Sequence, residues 1–147
     1  MKNTEEILSQ YNSMFRENDE IYRSAAKMLG LPDCAFWILY SLREGNEMLT
    51  QSEVCRLICL PKQTVNSSLK KLESDGYIEF SEKRDRRRKE IKLTEKGICL
   101  AENTADKVIS AEKKAFSQLS SEECEMFIKI FRRYTDSLKN NIFDIKN

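Results

Sequence analysis

The chain is predicted to be mainly α-helical with one small β-hairpin, and three observations carry that prediction. Isolated glycines and prolines divide its 147 residues into stretches of helical apolar spacing. Two Ser/Thr-x-x-Glu signals, Thr50 with Glu53 and Ser120 with Glu123, mark helix starts. Between Tyr77 and Leu93 the periodicity changes to strand-like alternation around a dense basic tip.

Taken in order, Gly30 followed by Pro32 closes a first helix of about residues 4–29, and Gly45 closes a second from about Pro32 to Glu44. The Thr50/Glu53 capping box opens a third, about Gln51 to Cys59. Pro61 sits in the first turn of a fourth, Pro61 to Asp75, where its missing N–H costs little; Gly76 ends it. The third and fourth helices are therefore joined by a very tight turn. Tyr77–Ser81 and Glu90–Leu93 read as strands, with Ile78 and Phe80 on one face of the first and Ile91 and Leu93 on one face of the second. A helix from Thr94 to about Phe116 follows, and the Ser120/Glu123 box opens the last. Helix, tight turn, helix and basic hairpin together describe a winged helix-turn-helix.

Length and composition bound the rest. A chain of 17.2 kDa with 40% hydrophobic residues supplies one core, so a single domain over 1–147 is expected. Its net charge is only +1, yet residues 61–96 hold 11 Lys/Arg against 7 Asp/Glu, net +4, and the remainder 14 against 17, net −3. The positive charge is local, as on a protein with one phosphate-facing side. No stretch nears the roughly 18 apolar residues of a membrane span, and MKNTEEILSQ lacks the basic start and apolar run of a secretion signal. The expected location is the cytoplasm.

Enzyme chemistry finds little footing. The chain has no histidine, which removes Ser-His-Asp and Cys-His nucleophile activation and histidine-containing zinc sites. Its four glycines, Gly30, Gly45, Gly76 and Gly97, are too scattered for a phosphate loop, and nothing selects a carboxylate pair. Neither an enzyme nor a cofactor is expected.

The fourth helix offers something else. Val65, Leu69 and Leu72 recur at helical spacing as an inward stripe, while Gln63, Asn66, Ser67 and Lys70 occupy the opposite face, with Lys62 and Thr64 near its start. Amides can pair with adenine edges, hydroxyls adapt to bases or phosphates, and lysines neutralise phosphates, so this face has the chemistry of base readout. By itself it also fits an ordinary solvated amphipathic helix. The next segment shifts the balance, because Lys83, Arg84, Asp85, Arg86, Arg87, Arg88 and Lys89 place six cations in seven residues at a hairpin tip. Such a cluster repels itself and is explained by a polyanionic partner. Arginine there suits a narrow minor groove with its enhanced negative potential.

Asp85-x-Arg87 followed by Leu93-Thr94-x-x-Gly97, behind a helix-turn-helix ending in Leu72, Gly76 and Tyr77-Ile78, resembles the MarR family of bacterial transcriptional regulators. The resemblance implies a six-helix layout with an inserted wing, Arg87 in the minor groove and Asp85 holding the wing's shape. Contacts from the recognition helix would fall on Gln63, Asn66, Ser67 and Lys70 by position; lysine and serine stand where many relatives have arginine or threonine. It also implies a lobe over 32–97, flanked by dimerisation helices in 1–30 and 98–147.

The terminal stripes agree with a dimer or with an intramolecular helical core. Ile7, Tyr11, Met14, Phe15, Ala25 and Leu29 line the first helix; Phe127, Ile130, Phe131, Tyr134, Leu138, Ile142 and Phe143 line the last. Of five cysteines, Cys55 and Cys59 lie among Val54, Leu57, Ile58 and Leu60 and read as small buried hydrophobes, with no metal site. Cys34, near a helix start whose dipole can lower its pKa, is the candidate redox thiol. Phe36, Trp37 and Tyr40 read as core, or as the wall of a cleft in which, the resemblance implies, small aromatic or phenolic effectors can bind. The expected protein is a homodimeric, ligand-responsive repressor of a palindromic double-stranded DNA operator. The alternatives are an activator, a constitutive DNA binder, a redox-sensing regulator, or a winged helix docking on an acidic protein.

Overall fold

The computed structural model describes residues 3–45, 48–81 and 89–145. Their elements run α1 (Thr4–Met28), α2 (Asp33–Glu44), β1 (Leu49–Thr50), α3 (Gln51–Ile58), α4 (Lys62–Ser74), β2 (Ile78–Phe80), β3 (Glu90–Leu93), α5 (Glu95–Asn103), α6 (Ala105–Phe116) and α7 (Ser121–Asp144). The chain forms two compact units, 1–109 and 110–147, with the boundary inside α6.

In the first unit, local signals set the helix ends. Asn3 caps α1 by accepting the Glu6 N–H at 2.8 Å, and Gly30, with φ of +73°, turns the chain out of it. Thr50 and Glu53 form the expected reciprocal box: the Thr50 N–H donates to Glu53 Oε2 at 2.7 Å, and the Glu53 N–H to Thr50 Oγ1 at 3.3 Å. Those donors hold the Glu53 carboxyl below the usual carboxylate range. The box is thus complete at neutral pH and is lost as pH falls through that lowered value. Pro61 is the N-cap of α4, one position before the first turn expected for it. Gly76, with φ of +80°, ends α4 and releases the chain into β2.

The core lies where α2, α3, α4 and the sheet meet. Ala35, Ile38, Val54, Val65, Leu69, Leu72, Ile78 and Ile91 form one buried cluster, including all three residues of the inward stripe on α4. Each large member contributes on the order of 2 kcal/mol by leaving water. The sheet is antiparallel in the order β1-β3-β2, with Leu49 opposite Ile91 and Ile78 opposite Leu93. β1 was not anticipated: two residues are too few for alternation to show.

The helix expected from Thr94 to Phe116 is broken. Thr104, buried, leaves helical geometry at φ −129°, ψ −90°, and its hydroxyl donates to the Leu100 carbonyl at 2.6 Å. Such back-bonding competes with the backbone ladder and bends helices. Just beyond the break, Asp106 receives both arms of Arg43, Nε to Oδ1 at 2.8 Å and Nη2 to Oδ2 at 2.5 Å, which ties α2 to the start of α6. The pair is about 30% exposed (29% and 31%) and bidentate, so it should exceed a surface ion pair. Arg43→Ala is expected to lower stability by on the order of 1–2 kcal/mol in urea unfolding, and a double-mutant cycle with Asp106→Ala should recover most of that as coupling.

In the second unit, Ser120 and Glu123 form the other expected capping box. Phe127 stacks on Phe131 with centroids 6.1 Å apart and meets the edge of Phe116 at 6.2 Å. Among its described residues α7 has none that is buried. No helix among the described residues is long and apolar enough to cross a membrane.

Candidate nucleic-acid interface

Because Val65, Leu69 and Leu72 are held inward, the helical repeat turns the other face of α4 to solvent. Lys62, Gln63, Thr64, Ser67 and Lys70 are exposed and Asn66 is half-buried, so the six candidate residues of this helix share one accessible side. Its first turn holds Lys62, Gln63 and Thr64 and no acid, which leaves the positive end of the helix uncompensated.

Beside this face runs a groove of ≈ 820 Å³. Lys62, Asn66, Leu69, Lys70 and Glu73 of α4 line one side; Thr50, Gln51, Ser52, Cys55 and Arg56 line the other, with Phe80 and Lys89 at the hairpin end. Four cations, Arg56, Lys62, Lys70 and Lys89, face one carboxylate, Glu73, the charge balance of a phosphate track. Gln51, Ser52 and Arg56 were missed from sequence. A capping box ahead of an open first turn could have signalled Gln51 and Ser52, since it fixes which residues begin the helix. Asn66 is not loose in this groove: its Oδ1 accepts a hydrogen bond from Nε2 of Gln51.

The hairpin stem stands at one end of the same groove, through Phe80 and Lys89. Beyond the last pair of β2 and β3, the Ser81 N–H donates to the Glu90 carbonyl at 2.9 Å and the Glu90 N–H to Ser81 Oγ at 3.1 Å. Arg84, Asp85, Arg86, Arg87 and Arg88, named above as DNA-contacting or wing-supporting, lie outside the described residues. At the stem's base, α4, the hairpin and α5 are locked together. Thr94 Oγ1 donates to the Gly76 carbonyl at 2.6 Å and accepts the Gly97 N–H at 3.0 Å, and the Thr94 N–H donates to the Tyr77 carbonyl at 3.1 Å. Lys96 donates to the Asp75 carbonyl at 2.6 Å and lies 4.5 Å from the Tyr77 ring centroid. The Leu93-Thr94-x-x-Gly97 motif is therefore the joint that sets the hairpin against the recognition helix.

The cysteines depart from expectation. Cys59 is exposed, in the left-handed region at φ +51°, where it ends α3, whereas Cys55 packs on the core. A turn of two residues before Pro61 demands that conformation, so Cys59 answers to the turn and not to burial. Cys34 follows the opposite direction from the one its helix position suggested: burial pushes its thiol up, aided by Asp33, with the Ser68 hydroxyl opposing. A raised pKa disfavours the reactive thiolate.

The aromatic cluster divides. Phe36 is fully buried, whereas Trp37, in edge contact with it at 5.0 Å, also meets Tyr22 at 5.1 Å and lines a second cleft of ≈ 410 Å³ with Asp19, Tyr22, Arg23, Asp33, Ile58 and Leu60.

Comparison with known proteins agrees with this anatomy. A family model described as MarR family matches residues 29–88, from the end of α1 to the hairpin. The uncharacterized HTH-type transcriptional regulator YwoH of Bacillus subtilis is 28% identical over 128 residues, 87% of this chain and 93% of that protein. Among solved structures, the Staphylococcus aureus MepR–DNA complex is 26% identical, covers 87% of this chain and 96% of MepR, and superposes with a TM-score of 0.69. NMB1585, a MarR family regulator of Neisseria meningitidis, shares the fold at a TM-score of 0.79 and 24% identity, over 93% of this chain and 96% of that one. With its groove and its hairpin joint, the chain carries a MarR-family match over residues 29–88 and is similar over most of its length to winged helix-turn-helix transcriptional regulators of that kind.

Proposed function

We propose that the protein is a homodimeric repressor that reads a palindromic operator with α4 in the major groove and the hairpin tip in the adjacent minor groove. The observation that carries this reading is the cation-lined groove, with the polar face of α4 on one side and the hairpin stem at its end. MepR of Staphylococcus aureus, to which this chain is similar, has been solved on DNA. Lys62, Gln63, Thr64, Asn66, Ser67 and Lys70 contact bases and phosphates; Arg84, Arg86, Arg87 and Arg88 follow the backbone and minor groove, with Asp85 shaping the tip.

A second copy covers the apolar faces at the chain's ends, so that 1–147 works as one dimer-forming domain. Phe15 of α1 is 58% exposed, Ile130 and Phe143 of α7 are 59% and 61%, and exposed apolar side chains on this scale mark association surfaces. Two-fold symmetry in the protein requires it in the operator, with half-sites about one helical turn apart. Repression follows from promoter occlusion. The cleft beside Trp37 supports a ligand-responsive form, since an aromatic molecule wedged between α1, α2 and the α3–α4 turn need only favour the non-binding spacing by a few kcal/mol.

Selection from a random duplex pool tests the reading. The expected result is a two-fold symmetric motif whose affinity falls about a thousandfold or more between about 50 and 200 mM salt. Weak binding to every duplex, with no enriched motif, would instead favour a winged helix that docks on an acidic protein surface.

A further inference from the structure

Asn66 does not present a whole amide to the groove. Its Oδ1 is engaged by Gln51 Nε2, which leaves Nδ2 as the group that can turn outward. A bidentate contact to adenine needs both ends of the amide, the oxygen for N6 and the nitrogen for N7. With its oxygen aimed at Gln51, Asn66 turns its amino group toward the groove, and the major-groove edges that answer a donor without also presenting one are guanine O6 and N7 and thymine O4.

Gln51 is well placed to impose this. It is the first residue of α3, and the Thr50/Glu53 box fixes the backbone on which it stands. Strand pairing of Thr50 with Glu90 holds the preceding residue against the hairpin. Gln51 and Asn66 are both partly shielded and both line the cation-bearing groove, so neither amide turns as freely as one on an open surface.

We infer that Gln51 is a specificity-positioning residue, which sets the polarity of Asn66 and thereby restricts the base it reads to guanine or thymine. The inference rests on α4 being the reading helix. Quantitative site selection on the wild type, Asn66→Ala, Gln51→Ala and Gln51→Glu tests it, each variant first checked for an unchanged circular dichroism spectrum and dimer mass. The base pair that loses its preference in Asn66→Ala is the one Asn66 reads, and the wild type should select guanine or thymine there. Gln51→Ala frees the amide and should raise adenine at that pair by about tenfold. Gln51→Glu replaces the donor with acceptors of nearly the same size, turns Asn66 Nδ2 inward and Oδ1 outward, and should move the preference to cytosine or adenine, whose amino groups donate.

An unchanged preference at that pair in both Gln51 variants would overturn the inference while leaving α4 as the reader. A change confined to another base pair would overturn it too, since Gln51 would then touch a base directly. If Asn66→Ala alters no position, the reading by α4 fails and the inference falls with it. A loss in Gln51→Ala that is uniform across sequences would show a structural or phosphate role only, and would also overturn it.

Discussion

Gly97→Ala is expected to lower stability by about 3 kcal/mol or more and to abolish tight operator binding. A Cβ at Gly97 would stand 1.9 Å from the Tyr77 carbonyl oxygen and 2.9 Å from its carbon, both backbone atoms that cannot rotate away, and 3.1 Å from Leu93 Cδ2. Gly97 sits in the first turn of α5, so its requirement is steric and not conformational. Relief demands that α5 move off the base of the hairpin, and this breaks the Thr94 N–H bond to Tyr77 or the Thr94 hydroxyl bond to Gly76. Either loss frees the hairpin from the end of α4, and the proposed complex needs the two in one arrangement on a single duplex. For a chain of this size the stability loss should appear as a fall in melting temperature of roughly 10 °C. Thr94→Val separates the two effects, since it removes the hydroxyl without adding a clash. It should reduce stability by about 1–2 kcal/mol and leave DNA affinity between those of the wild type and Gly97→Ala. A Gly97→Ala protein that melts and binds as the wild type does would show that the hairpin base has slack the packing does not suggest.

What could be read from the chain by itself followed the range of the forces involved. Helix ends were legible because their signals are local: Gly30 and Gly76 adopt positive φ at helix exits, and Thr50 and Ser120 meet their glutamates three residues on. The inward stripe of α4 was legible because one helix face repeats every three or four residues and the core enforces it. Thr104 gave no such warning: a buried β-branched residue is ordinary within a helix, and its departure from helical geometry shows only in the folded chain. The direction of the Cys34 shift was misread because position near a helix start is visible in sequence, whereas burial against Ser68 and the core depends on the fold. For the candidate site, the polar face of α4 could be named in advance, but not its opposite bank. Gln51 lies 15 residues from Asn66 and becomes its partner only through the left-handed turn at Cys59.

Arg87→Ala is expected to weaken operator binding on the order of a hundredfold while leaving the order of preferred sequences nearly intact. A charge-assisted contact contributes about 1.5 kcal/mol, and a two-fold dimer makes it twice, for about 3 kcal/mol in total. The described stem stands at the groove: β2 and β3 pair through Phe80 and Ile91, Ser81 and Glu90 extend the ladder, and Phe80 and Lys89 line the groove that holds Lys62 and Lys70. Minor-groove and phosphate contacts report charge and groove width far more than base identity, so affinity should fall nearly in parallel across operator variants. The salt slope should lessen by about 1 for each arginine that neutralises a phosphate. Arg87→Lys discriminates further: it keeps the charge and so the salt slope, but lysine is costlier to desolvate in a narrow groove, and only part of the affinity should return. Asn66→Ala makes the opposite comparison, with a small change in salt slope and a loss confined to particular base pairs. If Arg87→Ala binds the selected operator as tightly as the wild type at two salt concentrations, the hairpin tip does not enter the complex, and the cations of the groove between α3 and α4 must hold the DNA by themselves.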